Sequence, residues 1–165
     1  MLVAPIPLGA SHDVSGFDCG REELNTFLRL HALENQRTGR SRTYVLLDDT
    51  AAVGYYSLAP SAVLYEDAPA RVLKGQPSGD VPCMLLARLA IDKRAQGRGL
   101  GSDLCRHALE RTLAAHEIVG SRALLVHALD EDAMMFYMQF DMMPSPTHPR
   151  HLFLLFKDIR KLLRH

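Results

Sequence analysis

Three glycines within five residues, placed just after an apolar run, constrain this chain more than any other stretch. Met84 to Ile91 reads as a strand and Leu100 to His116 as an amphipathic helix. Between them lies Gln96-Gly97-Arg98-Gly99-Leu100-Gly101-Ser102. A glycine-rich turn entering a helix leaves backbone N–H groups without intrahelical partners and lets the main chain approach a bulky anion. Arg94 and Arg98 add full charges to the partial positive charge of the helix end. The pattern describes a pyrophosphate cradle, and the bland alternative is a tight strand–helix turn without a ligand.

The cradle is not a P-loop, because no Lys-Ser/Thr follows at the required distance, and it lacks the G-x-G-x-x-G dinucleotide spacing. Its spacing is Gln96-x-x-Gly99-x-Gly101. This resembles the Q/R-x-x-G-x-G/A signature of the GNAT N-acetyltransferases. The flanks agree: Leu86-Ala-Arg-Leu-Ala-Ile-Asp92 before the turn, a long helix after it, and Phe136-Tyr137 further on.

The 165 residues suffice for one domain with a real core, read here as 1–165. The formal charge is zero, but residues 1–80 carry 7 basic and 10 acidic groups while residues 81–165 carry 12 and 9. That balance argues against wholesale coating of nucleic acid and leaves room for a local basic patch. Cys19, Cys83 and Cys105 are odd in number and lack paired spacing, which fits a reducing compartment, the cytoplasm by default. No run has the length of a membrane span. The N-terminal Met-Leu-Val-Ala-Pro-Ile-Pro-Leu lacks a basic flank and reads as a first strand rather than a signal peptide.

Taken in order, residues 2–8 form an edge strand, since Pro5 and Pro7 cannot donate to a ladder. Asp18 or Cys19 caps a helix over 21–36, with Glu22 and Glu23 in its first turn. Gln36 to Thr43 holds Arg37, Arg40 and Arg42 around Gly39. It reads equally as a solvated connection or as a phosphate clamp. Strands at 44–48 and 52–60 make a hairpin in which Tyr55 and Tyr56 face opposite sides, one in the core and one free to line a cleft. Residues 66–82 form a long loop. Strand 122–129, a helix from Glu131 to about Phe140 capped by Asp130, a Pro-rich turn, strand 151–157 and helix 158–164 complete an α/β (α+β) chain. It has a mixed central sheet with helices on both faces.

The order of elements matches the GNAT fold, which implies a cleft where the central strand splays from the next. The resemblance narrows further. Phe17-x-Cys19, Leu24-Asn25-x-Phe27-Leu28, Asn35-Gln36, Ser41-Arg42-Thr43-Tyr44-Val45, Gly54-Tyr55-Tyr56-Ser57-Leu58, Val81-Pro82, Val126-His127-Ala128 and Phe136-Tyr137 are similar to the acetyltransferase toxins of bacterial type II toxin–antitoxin modules. That family implies acetylation of the α-amine of aminoacyl-tRNA, which blocks translation. It also implies neutralisation by a ribbon-helix-helix antitoxin, and dimerisation. The alternatives are a GNAT enzyme for a small amine or a protein N-terminus, and a non-catalytic acyl-CoA binding module.

An amine attacking the thioester of acetyl-CoA needs the cofactor held, the oxyanion steadied and the leaving thiolate protonated. The resemblance assigns the diphosphate to Gln96, Gly97, Arg98, Gly99, Leu100, Gly101 and Ser102, and the pantetheine arm to the backbone of Leu89, Ala90 and Ile91, paired like an added strand. Tyr137 matches the family's general acid, and a phenol of ordinary pKa near ~10 keeps its proton at neutral pH. Without the motif, packing alone would account for that tyrosine. No carboxylate pair offers a base; an α-amine has a pKa near ~7.7–8.0, and esterification of its carboxyl lowers it further, so the amine is substantially neutral and a water can serve. His127 is either that base or a satisfied sheet histidine. His148-x-x-His151 is too lone a pair for a metal, and no metal is expected. For tRNA, the resemblance points to Arg37, Arg40 and Arg42 around the first helix, with Arg150 and the basic C-terminus extending the patch. Phe140-Asp141-Met142 departs from the family's Phe-Gly-Phe.

Overall fold

The computed structural model describes residues 2–164. Among these residues β1 (Leu2–Pro7), β2 (Arg42–Asp48), β3 (Ala51–Val63), β4 (Val81–Ile91), β5 (Ala123–His127), β6 (Met143–Pro144) and β7 (His151–Leu155) form a mixed sheet in the order β1-β2-β3-β4-β5-β7-β6. The chain divides into two compact units, one formed by residues up to Ala59 with Ala87–Ala108, the other by Pro60–Leu86 with residues from Leu109 onward. β3 (Ala51–Val63), β4 (Val81–Ile91) and α4 (Leu100–Val119) each contribute to both units.

In the first unit, β1 (Leu2–Pro7) pairs antiparallel with β2 (Arg42–Asp48), which pairs antiparallel with β3. β1 ends the strand order, as its two prolines require. The ladder breaks register between Val3 and Ile6, around Pro5. The first helix starts one residue later than expected and is not uniform. It runs as α1 (Glu22–Thr26), a π-helical turn over Phe27–His31, and α2 (Ala32–Arg37). Neither Asp18 nor Cys19 caps it. The N-cap is Arg21, without a side-chain bond. Instead the buried Asn25 reaches back: its Oδ1 accepts from the Cys19 N–H at 2.8 Å and its Nδ2 donates to Asp18 at 3.0 Å. Glu22 and Glu23 do occupy the first turn.

Phe17, Phe27, Leu28, Val45, Tyr55 and Ala90 belong to this unit's core. Tyr55 and Tyr56 are both fully buried, which corrects the expectation that one lines a cleft. The Tyr55 hydroxyl donates to the Leu24 carbonyl at 2.7 Å, and the Tyr56 hydroxyl bonds His107 Nδ1 at 2.7 Å. Each phenol has a polar partner at depth, so both faces of β3 accept a tyrosine without an orphaned hydroxyl. Gln36 ties α2 to the strands, donating to the Leu8 carbonyl at 2.7 Å and accepting from the Thr43 N–H at 3.0 Å.

In the second unit, β4 pairs in parallel with β5 (Ala123–His127), and β5 pairs antiparallel with β7 (His151–Leu155). A two-residue strand, β6 (Met143–Pro144), adds to β7. The long loop is not structureless. It holds a 3₁₀ turn at Tyr65–Asp67 and the short α3 (Ala70–Leu73), whose Val72 is buried with Val63, Cys83, Leu125 and Phe153. Its end is anchored where Arg122 donates to the Val72 carbonyl at 2.7 Å. β7 ends at Leu155 and α6 (Phe156–Leu163) begins two residues earlier than expected. α5 (Glu131–Met138) carries its expected cap, with the Asp130 carboxylate accepting from the Ala133 N–H at 2.9 Å.

Candidate active site

The cradle is pinned at its root and open at its crown. Asp92, just past β4, is almost wholly buried. Its carboxylate accepts from the Asp18 N–H at 3.0 Å, the Arg94 N–H at 2.9 Å, and the Arg94 guanidinium at 2.9 and 3.0 Å. Burial pushes this carboxyl up, but the Arg94 side chain and the two amides outweigh it and hold it below the usual range. Arg94 is thus paired within the turn, which leaves Arg98 as the cation expected to face an anion. Gln96 donates from Nε2 to the Ile91 carbonyl at 2.8 Å and the Cys19 carbonyl at 3.1 Å. Both amide protons fasten the loop to the chain beneath it, so Gln96 shapes the cradle.

Above this root, Gly97 and Gly99 take left-handed φ values of 80° and 75°. A Cβ built on either meets nothing within 4 Å. Backbone there is free to approach a ligand closely. Arg98 and Ser102 are exposed, and Leu100 and Gly101 are half-buried at the first turn of α4. The first amides of that helix have no intrahelical acceptor, and its dipole favours negative charge. A diphosphate fits these features.

Leu89 is half-buried, and Ala90 and Ile91 are buried. The ladder joining β4 to β5 covers Cys83 to Leu86, and β4 continues five residues beyond it to Ile91. A strand that outruns its ladder has the geometry for β-augmentation by an extended arm. Gly54 makes this segment possible, because a Cβ there would lie 2.8 Å from Ile91 Cδ1 and 3.4 Å from the Ala90 carbonyl oxygen. The Arg88 guanidinium lies 3.8 Å from the centre of the Phe27 ring.

Tyr137 belongs to the second unit. It lies on α5, is 6% exposed, and packs edge-on against Phe136 with ring centres 5.1 Å apart. Asp141 has φ of 59°, so the turn after this helix adopts the left-handed conformation that a glycine would take freely. Cys105 is fully buried on α4, its thiol pushed up to about 12 by burial, and is inert packing.

His127 is exposed at the end of β5, where the antiparallel register sets it opposite His151. Their rings stack at 3.9 Å, and His148 stacks on His151 at 4.6 Å. Burial first, and then the neighbouring imidazoles, push His127 and His151 below the usual histidine range. The pair His148-x-x-His151 gave no hint of this stack, because His127 joins it only through strand pairing. Among the described residues, no group of three or more His, Cys, Asp or Glu is arranged to hold a metal.

The arginines expected at RNA lie at the surface. Arg37 pairs with Glu34 at 3.1 Å, while Arg40 and Arg42 are exposed between α2 and β2. Arg150 sits before β7, 3.6 Å from Glu131. No helix among the described residues is long and apolar enough to cross a membrane.

Residues 14–142 match the model of the acetyltransferase (GNAT) family. The chain is 46% identical over 160 residues to a tRNA-acetylating toxin of Mycobacterium tuberculosis, covering 97% of this chain and 96% of that protein. Among solved structures it is similar to AtaT complexed with acetyl-methionyl-tRNAfMet, at 33% identity and TM-score 0.89, covering 98% of this chain and 99% of that one. It also matches a mutant AtaT toxin bound to the C-terminus of the antitoxin AtaR and acetyl-CoA, at 32% identity and TM-score 0.84, covering 100% of this chain and 99% of that one.

Proposed function

From the premise that this chain belongs to the GNAT acetyltransferase family, we propose that it acetylates the α-amine of aminoacyl-tRNA. On this reading it is the toxin of a type II toxin–antitoxin pair, acting as one domain in the cytoplasm. Its acetyl donor is acetyl-CoA, which supplies an activated thioester carbonyl to an attacking amine. The observation that carries the reading is the 46% identity, over nearly the whole of both chains, to a tRNA-acetylating toxin. The tRNA-bound and antitoxin-bound relatives support the substrate and an antitoxin partner, which we take to be of the ribbon-helix-helix kind.

In this mechanism Gly97 to Ser102 and the N-terminal amides of α4 hold the diphosphate, with Arg98 adding charge. The backbone of Leu89, Ala90 and Ile91 orients the pantetheine arm. A main-chain N–H of that segment steadies the oxyanion, an interaction typically worth about 3 kcal/mol. Tyr137 gives its phenolic proton to the departing sulfur. The aminoacyl amine needs no strong base, because esterification of its carboxyl lowers its basicity and leaves much of it neutral. Arg37, Arg40, Arg42 and Arg150 contact phosphates.

Mass spectrometry of total aminoacyl-tRNA after incubation with labelled acetyl-CoA tests this. Labelled acetyl on one or a few aminoacyl-tRNAs is expected. Transfer only to free amines or protein N-termini would sink the tRNA reading and leave a general GNAT enzyme.

A further inference from the structure

The second unit holds a cavity of about 200 Å³ that the mechanism above does not use. Leu125 and Phe153 line it from within, and His127, His148 and His151 border it together with Asp67. Two rings cannot share one face of an imidazole at 3.9 and 4.6 Å, so His151 lies between His127 and His148. The outer faces of those two rings are the ends of the stack. His127 is exposed, and the His148 side chain is 51% exposed. A flat ring entering the cavity extends the stack by one layer.

The charge of the site selects which ring. Burial first, and then His151 and His148 at His127 and His148 at His151, lower the pKa of these two rings, with Asp67 partly opposing at His151. The Asp67 carboxylate accepts from Thr147 Oγ1 at 2.6 Å and lies 3.7 Å from His148 Nε2. A carboxylate beside the imidazole stack repels phosphate and accepts from an exocyclic amine. Beside the stack, Arg150 precedes His151, and among the described residues its guanidinium reaches the exposed Glu131 at 3.6 Å and the Leu129 carbonyl at 3.4 Å. An exposed pair of that length exchanges readily for a phosphate, which arginine binds bidentately. An amine-bearing ring inside and a phosphate outside is the chemistry of one unpaired nucleotide.

We propose that His127, His148, His151, Asp67 and Arg150 form a subsite for one unstacked nucleotide of the RNA acceptor end, its base laid on the imidazole stack and its phosphate on Arg150. This rests on the RNA-acetylating reading and gives that reading a base-contacting surface. Unpaired bases are commonly held in this way, by stacking on aromatic side chains with hydrogen bonds to their edges.

The test is a titration of the full-length protein with the ribotrinucleotide CCA, read from the histidine Cε1–H resonances. An abasic trimer of equal length and methionine amide serve as the other two probes. CCA is expected to move the His127 or His148 resonance upfield, with the abasic trimer binding about ten-fold more weakly. Equal binding of the abasic trimer, or a response to methionine amide alone, overturns the nucleotide subsite. In parallel, wild-type protein is assayed for acetylation of charged bulk tRNA. Acetylation without any response to CCA overturns the subsite and leaves the enzymatic reading intact. A ring-current response without acetylation supports the subsite and sinks the aminoacyl-tRNA reading.

Discussion

Tyr137 is 6% exposed and packed edge-on against Phe136, so Phe fills its place without a cavity. Loss of activity on Tyr137→Phe therefore reports the missing proton rather than repacking. The expected fall in kcat is about 10²–10⁴-fold, the usual contribution of a positioned general acid. Calorimetric affinity for acetyl-CoA should be unchanged, and undiminished turnover would remove Tyr137 from the chemistry. The histidine stack makes a different residue-scale prediction. His127 and His151 have folded-state pKa values below their unfolded ones, from burial and then from the neighbouring imidazoles, with Asp67 partly opposing at His151. The unfolded chain therefore binds more protons just below the ordinary histidine pKa of ~6.5, and stability present above that pH is lost as pH falls through the lowered values. The thermal midpoint should drop between pH 7 and pH 5. Replacing the central ring by His151→Phe should flatten that part of the profile.

At the scale of elements, β3, β4 and α4 depend on a missing side chain. Gly54 lies where a Cβ would meet Ile91 Cδ1 at 2.8 Å and Leu104 Cδ2 at 3.5 Å. Gly54→Val should lower stability by about 1–3 kcal/mol through overpacking, read as a reduced thermal midpoint. The cradle allows a sharper comparison. Gly99 and Gly120 both have positive φ, 75° and 84°, and a Cβ on either meets open space. Alanine at either position carries a similar left-handed strain of about 1–3 kcal/mol. Only Gly99→Ala places a methyl group over the loop assigned to the diphosphate. Gly99→Ala should weaken acetyl-CoA binding measurably by calorimetry, while Gly120→Ala should lower the thermal midpoint and leave that affinity alone. Equal effects on affinity would mean that the loop is only a turn.

For the whole molecule, what the sequence discloses divides along one physical line. Strand and helix identities, the glycine cradle and the Asp130 cap are local patterns, and each is legible because its residues are neighbours in the chain. The bond from the Asp18 N–H to Asp92, the two buried tyrosines and the stack of His127 on His151 depend on which segment lies beside which, and a period of two or 3.6 carries no such information. The π-helical turn at Phe27–His31 is likewise unannounced, since the apolar spacing there fits an ordinary helix. Charge is legible in sum but not in effect. The formal total is zero, yet Arg94 answers Asp92 inside its own turn and Arg37 answers Glu34 at 3.1 Å. Exposed arginines such as Arg40, Arg42 and Arg150 then matter more than the total. If they contact RNA phosphates, each contact releases counterions, and the slope of log affinity against log salt falls by about 0.7–0.9 for every contact removed. The double variant Arg40→Gln, Arg42→Gln should therefore raise KM for charged tRNA and flatten its salt dependence by roughly 1.5 units in that slope. Acetyl-CoA affinity should not move. A salt slope unchanged by these substitutions would reassign the segment between α2 and β2 to a solvated connection, the other reading its three arginines allow.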